Sequence, residues 1–192
     1  VGTRYLICVV KDNQYKVAQY GQWDGNPEGQ GVSILEFLTK HIDRDLFEKN
    51  LAEKIRFGTS EELTQQWKEC GADDIKNIDS VVAERHERLF PENSDNTGSG
   101  ILSIIQNTEK DLILENSLSF ASNSLCDWVY VIDLDKNTYE VYEGFNEKPL
   151  SEDERFHNAE PIRGYYPVKH VISFDLNNLP TLEDFIDNFA TE

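Results

Sequence analysis

Two pairs of runs rich in β-branched and aromatic residues stand at opposite ends of this chain, and the stretch between them keeps helical spacing. RYLICVV at 4–10 and YKVAQYGQ at 15–22 are joined by KDNQ, a turn-forming link. WVYVIDL at 128–134 and TYEVYEGF at 138–145 are joined around DKN in the same way. Each pair predicts a β-hairpin. VKHVISFDL at 168–176 predicts one more strand, and LEDFIDNF at 182–189 a closing helix. Strands at both ends with helices between them predict a single α+β domain, an antiparallel sheet of about five strands packed against a helical layer.

The middle of the chain carries the helix signals. Ser33 with Glu36 matches the S-x-x-E capping pattern, and Ile34, Leu35, Phe37, Leu38, His41 and Ile42 follow at helical spacing. Leu46, Phe47, Leu51 and Ile55 mark another helix. Thr59 with Glu62 is a second capping pattern, with Leu63, Trp67 and Cys70 on one face and Gly71 as the stop. Ile75, Ile78, Val82, His86 and Leu89 form a further stripe, in which His86 reads as a core histidine rather than a ligand. The runs 101–106 and 112–120 predict two more short helices. PENSDNTGSG at 91–100 has no apolar side chain and predicts a flexible internal loop.

Composition narrows the function classes. Hydrophobic residues make up 39% and aromatics 11% of the 192 positions, enough apolar surface to offset the entropy of ordering. Acidic residues outnumber basic ones 36 to 18. A body of this charge repels phosphate backbones, which argues against direct nucleic-acid binding. It leaves solubility as one role for the acids and capture of a basic protein partner, by imitation of nucleic acid, as another. No run approaches the ~18 apolar residues of a membrane span. The start lacks a basic region followed by an apolar one, and Cys8, Cys70 and Cys126 are widely spaced without a CxxC pair. Together these features predict reduced thiols and a cytoplasmic setting.

The least ordinary stretch is QYGQWDGNPEGQG at 19–31. Its glycines permit positive φ or close approach of a ligand, and W-D-G-N-P is equally a turn. It is neither a Walker A loop nor GxGxxG, has no lysine, and carries Glu28, so phosphate suits it poorly. Amides and a carboxylate interleaved with aromatics suit a small polar ligand or a peptide. The candidate binding residues are Arg4, Gln19, Tyr20, Gln22, Trp23, Asp24, Gly25, Gly29, Gly31 and Ser33, with an Arg4–Asp24 salt bridge as the competing reading. No catalytic motif, metal-ligand spacing or cofactor signature is present in the sequence. Gly2-Thr3 at the head of a strand raises an N-terminal-nucleophile hydrolase as an alternative, opposed by the residues that precede Thr3.

These residues carry a resemblance. Gly2, Thr3, Arg4 and Leu6, then Tyr20, Gln22, Trp23, Asp24, Gly25, Pro27, Gly29 and Gly31, fit G-T-R-x-L followed by Y-x-Q-[WYF]-D-G-x-P-x-G-x-G. That pattern resembles a group of small uncharacterised fungal, bacterial and phage proteins. WVYVIDLDKNTYEVYEGF and YYPVKHVISFDLNNLP resemble the same group, so the likeness spans most of the chain. It implies kinship and no particular activity.

Overall fold

The computed structural model describes residues 2–122, 126–160 and 164–190. Its strands are β1 (Tyr5–Lys11), β2 (Gln14–Gly21), β3 (Ile55–Phe57), β4 (Leu112–Leu114), β5 (Trp128–Asp133), β6 (Thr138–Glu143) and β7 (Lys169–Asp175). Its α-helices are α1 (Val32–Glu36), α2 (Arg44–Glu53), α3 (Ser60–Glu69), α4 (Ser80–Leu89), α5 (Gly100–Asn107) and α6 (Leu182–Asp187). Both expected hairpins form: β1 pairs antiparallel with β2, and β5 with β6, and β7 adds antiparallel to β6. The main sheet runs β2-β1-β5-β6-β7.

The sheet is mostly antiparallel, as expected, with one parallel pairing at its centre. β1 and β5 lie side by side and parallel, Tyr5 opposite Trp128 and Val9 opposite Ile132. The long helical stretch between the hairpins is a crossover, which brings the second hairpin alongside the first in the same direction. The fold remains α+β with a mostly antiparallel sheet. β1 and β5 are buried on both faces, which is why ICVV and VYVI read as unbroken apolar runs.

The two faces are covered differently. Tyr5, Ile7, Val9, Tyr130, Ile132 and Tyr139 meet Ile34, Phe47, Leu102 and Phe185 from the helices. Leu6, Cys8, Val129, Val131 and Tyr142 on the opposite face meet Ala121, Phe156 and Val168 from chain with little regular structure. Arg155 pins that cover. Its guanidinium donates to Asp133 Oδ2 at 2.6 Å and to Glu140 Oε1 and Oε2, each at 2.9 Å, while Tyr142 and Thr138 also donate to the Glu140 carboxylate.

Local chemistry explains where helices start. The Thr59–Glu62 capping box forms in both directions, 3.1 and 3.0 Å, and Gly71 turns the chain at φ +98°. The Ser33–Glu36 box does not form. Helical backbone already begins with a wide π-turn at Pro27–Gly31, so Ser33 lies inside the helix with its side chain exposed. The helix expected over 112–120 is replaced by β4, parallel to β3, and a 3-10 turn at Leu118–Ser122. Loop 91–100, expected to be flexible, is tied down by polar groups instead. Asn93 donates to Gln66 Oε1 and the Ile113 carbonyl and accepts from the Glu115 amide. Ser99 N–H donates to Gln30 Oε1.

Candidate functional site

The glycine loop is held from below by the sheet. Tyr130 donates its hydroxyl to the Gly25 carbonyl at 2.6 Å, and Tyr139 donates to the Gly31 carbonyl at 2.8 Å. Gly25 N–H donates to the Thr3 carbonyl, and Gln30 closes the turn by donating its backbone and side-chain N–H groups to the Asp24 and Trp23 carbonyls. Close approach dictates glycine here. A Cβ at Gly29 would stand 2.3 Å from the Asp24 carbonyl oxygen, and one at Gly25 would stand 2.5 Å from that of Thr3. Gly31 packs under the rings of Tyr130 and Phe185. Three of the ten candidate residues thus have a structural reason of their own.

The remaining candidates diverge in space. Trp23 is 52% exposed, and the Asp24 carboxylate accepts no hydrogen bond from the described residues. Arg4 forms no ion pair with Asp24: its backbone N–H donates to Asp127 Oδ2, and its Nε is buried without a hydrogen-bond partner among the described residues. Gln22 is half-buried and Ser33 exposed. Gln19 and Tyr20 go elsewhere, to a cleft of about 560 Å³ with a small polar recess at its side.

That cleft lies where the end of β2 meets α4 and the segments around 94 and 117. Tyr20 stacks on Phe120 with centroids 4.4 Å apart, and His86 stacks on Trp67 at 3.6 Å with the rings nearly parallel. Gln19, 8% exposed, lines the recess and donates one long hydrogen bond, 3.4 Å, to the Ser94 carbonyl. His86 is 2% exposed, as a core histidine should be, yet its Nε2 has no hydrogen-bond partner among the described residues. Burial lowers its pKa and favours the neutral ring. Asp95 and Glu115 line the recess and are both exposed to solvent; partial desolvation by the surrounding chain raises both carboxyls, Glu115 further through repulsion by Asp95.

Sequence reading reached this site from one side only. Gln19 and Tyr20 stood among the candidate binding residues, while His86 read as a core histidine. Asp95 and Glu115 were not among the candidates, because nothing local says that two loops twenty residues apart converge on β2. The polar density of 91–100 was the one available signal.

Among the described residues no cluster of His, Cys, Asp and Glu is arranged to hold a metal ion, and no helix is long and apolar enough to cross a membrane. Comparison with family models, curated proteins and solved structures finds no match for this chain.

Proposed function

We propose that the protein is a binding domain for a small polar ligand or peptide, received in the cleft at the end of β2. One observation carries this reading. Stacked aromatics, Tyr20 on Phe120 and His86 on Trp67, line one concavity together with carboxylates that enter no ion pair among the described residues, a combination that suits a ligand site. Within the 19–31 segment, Gln19 and Tyr20 are the residues that take part, and the glycines that follow set the backbone. The runner-up is an acidic surface that captures a basic protein. It is favoured by Glu84, Glu87, Asp95 and Glu115 around a cleft that no lysine or arginine lines among the described residues.

The test is an amide-resolved NMR titration with a panel of small polar compounds and short peptides. Shifts centred on Tyr20, Ser94 and Ser117, abolished in Tyr20→Leu, are the expected result. Shifts centred on Trp23 and Asp24 would move the site back to the loop. A basic protein domain that binds with no dependence on Tyr20 would favour the runner-up.

A further inference from the structure

We propose that Ser173 and His170 are a nucleophile and its general base, and that they hydrolyse short carboxylic esters in a groove along β7. That strand is the edge of the sheet opposite β2 and its cleft. His170 Nε2 stands 2.6 Å from Ser173 Oγ. In an unbroken strand, residues three apart face opposite sides of the sheet. Here Val141 pairs with Ile172 and Tyr142 with His170, so Val171 is an extra residue, a bulge. The bulge returns His170 and Ser173 to one face, where they pair with Tyr142 and Glu140. Bulges beside active sites re-aim side chains in this way.

The imidazole is braced by its surroundings. Its ring lies edge-on to Tyr142 with centroids 5.4 Å apart, and its backbone N–H donates to Glu154 Oε1. The Tyr142 hydroxyl is tied in turn to Glu140, which Arg155 holds. With the ring proton on Nδ1, Nε2 accepts the serine hydroxyl, as a base does from the nucleophile it activates.

A second observation points to the substrate. His170 and Glu154 stand in the wall between two hollows. One, of about 420 Å³, contains Ser173 and Lys136. Lys136 enters no ion pair among the described residues, which leaves its ammonium to a developing oxyanion. The other, of about 430 Å³, is lined by Phe145, Pro149 and Leu150 and suits a short apolar chain. Phe145 is half-exposed there on a backbone at φ +54°, a conformation costly for a bulky residue.

The reaction takes two steps. Ser173 Oγ attacks the ester carbonyl carbon as its proton passes to Nε2. The tetrahedral carbon expels the alkoxide, which takes the proton from Nε2 and departs as the alcohol. Water then attacks the acyl-serine and gives a proton to Nε2. Collapse releases the carboxylic acid, and the proton returns to Oγ. One ester and one water give one acid and one alcohol.

Turnover of p-nitrophenyl acetate and butyrate, with fluorophosphonate labelling mapped by peptide mass spectrometry, tests the pair. Saturable turnover and a single adduct on Ser173 are expected. Ser173→Ala and His170→Gln should each lower kcat/KM by about a hundredfold or more. His170→Gln should also suppress the adduct although the serine remains, which a merely structural histidine would not do. Lys136→Gln should lower kcat by about tenfold or more with KM little changed. His41→Gln, at an exposed histidine elsewhere, should alter neither readout. Circular dichroism checks that each variant is folded. Undiminished turnover in Ser173→Ala would overturn the proposal, as would an acyl group found on Lys136 in place of Ser173. Equal labelling of Ser173 with and without His170 would remove the base, and neither turnover nor adduct would remove the site.

Discussion

The hydroxyls of Tyr130 and Tyr139 hold the two ends of one loop, at Gly25 and Gly31. Burial pushes both phenols well above their usual pKa, so they stay protonated as donors. Tyr139→Phe keeps the ring and strands the Gly31 carbonyl, which should cost about 1–3 kcal/mol in chemical denaturation. Gly29→Ala should cost at least as much, because the atom its Cβ meets is backbone oxygen and cannot move aside. Trp23→Ala, at a half-exposed ring, should change stability by no more than about 0.5 kcal/mol. The three variants separate the loop's architecture from its surface. The glycines were visible in the sequence, but their reason was not, since Tyr130 lies 105 residues from Gly25.

Among the elements, those whose signals are local were the ones the sequence revealed. The α3 start is complete within four residues, Thr59 to Glu62, and Thr59→Ala should lower stability by about 1 kcal/mol. The hairpins are equally local. β3 and β4 have three residues each, too short for any periodicity, and pair parallel across more than fifty residues of chain. A parallel partner cannot be read from either strand alone, and β4 therefore resembled the start of a helix. The 91–100 segment shows a related limit. Apolar side chains are what a sequence reading counts, but Asn93 anchors this segment with an amide. Amide exchange should show 92–99 protected, and Asn93→Ala should speed exchange there and at β4 while leaving the β1–β5 pair slow. Equal rates in the variant and the parent would mean that the anchors do not hold the segment.

For the molecule as a whole, two populations of carboxylates pull stability in opposite directions as pH falls. Asp95 and Glu115, though exposed, have folded-state pKa values raised by partial desolvation, so protonation on acidification relieves them and adds a small, solvent-screened increment of stability. The net charge of −18 also shrinks towards the pI near 4.5, which weakens self-repulsion. Glu140 acts the other way. Burial pushes its carboxyl up, but hydrogen bonds from Arg155, Thr138 and Tyr142 outweigh burial and hold it below the usual range. A depressed folded pKa contributes stability that is complete above the unfolded value, about 4.3 for a glutamate, and is lost as pH falls through the folded one. Stability should therefore rise as pH drops from neutral towards 5, then fall below about 4 as the Arg155 network loses its carboxylate. Asp95→Asn should raise neutral-pH stability and flatten the first limb. Glu140→Gln should lower stability at neutral pH and flatten the second. Because Arg155 pins the cover over one face of the sheet, acid exchange should open 145–160 before the helical face, where Tyr130 still holds Gly25. Denaturation curves across pH check the two limbs, and amide exchange near pH 3 checks the order. Simultaneous opening of both faces would show that the Arg155 network stabilises the whole fold and not its cover alone.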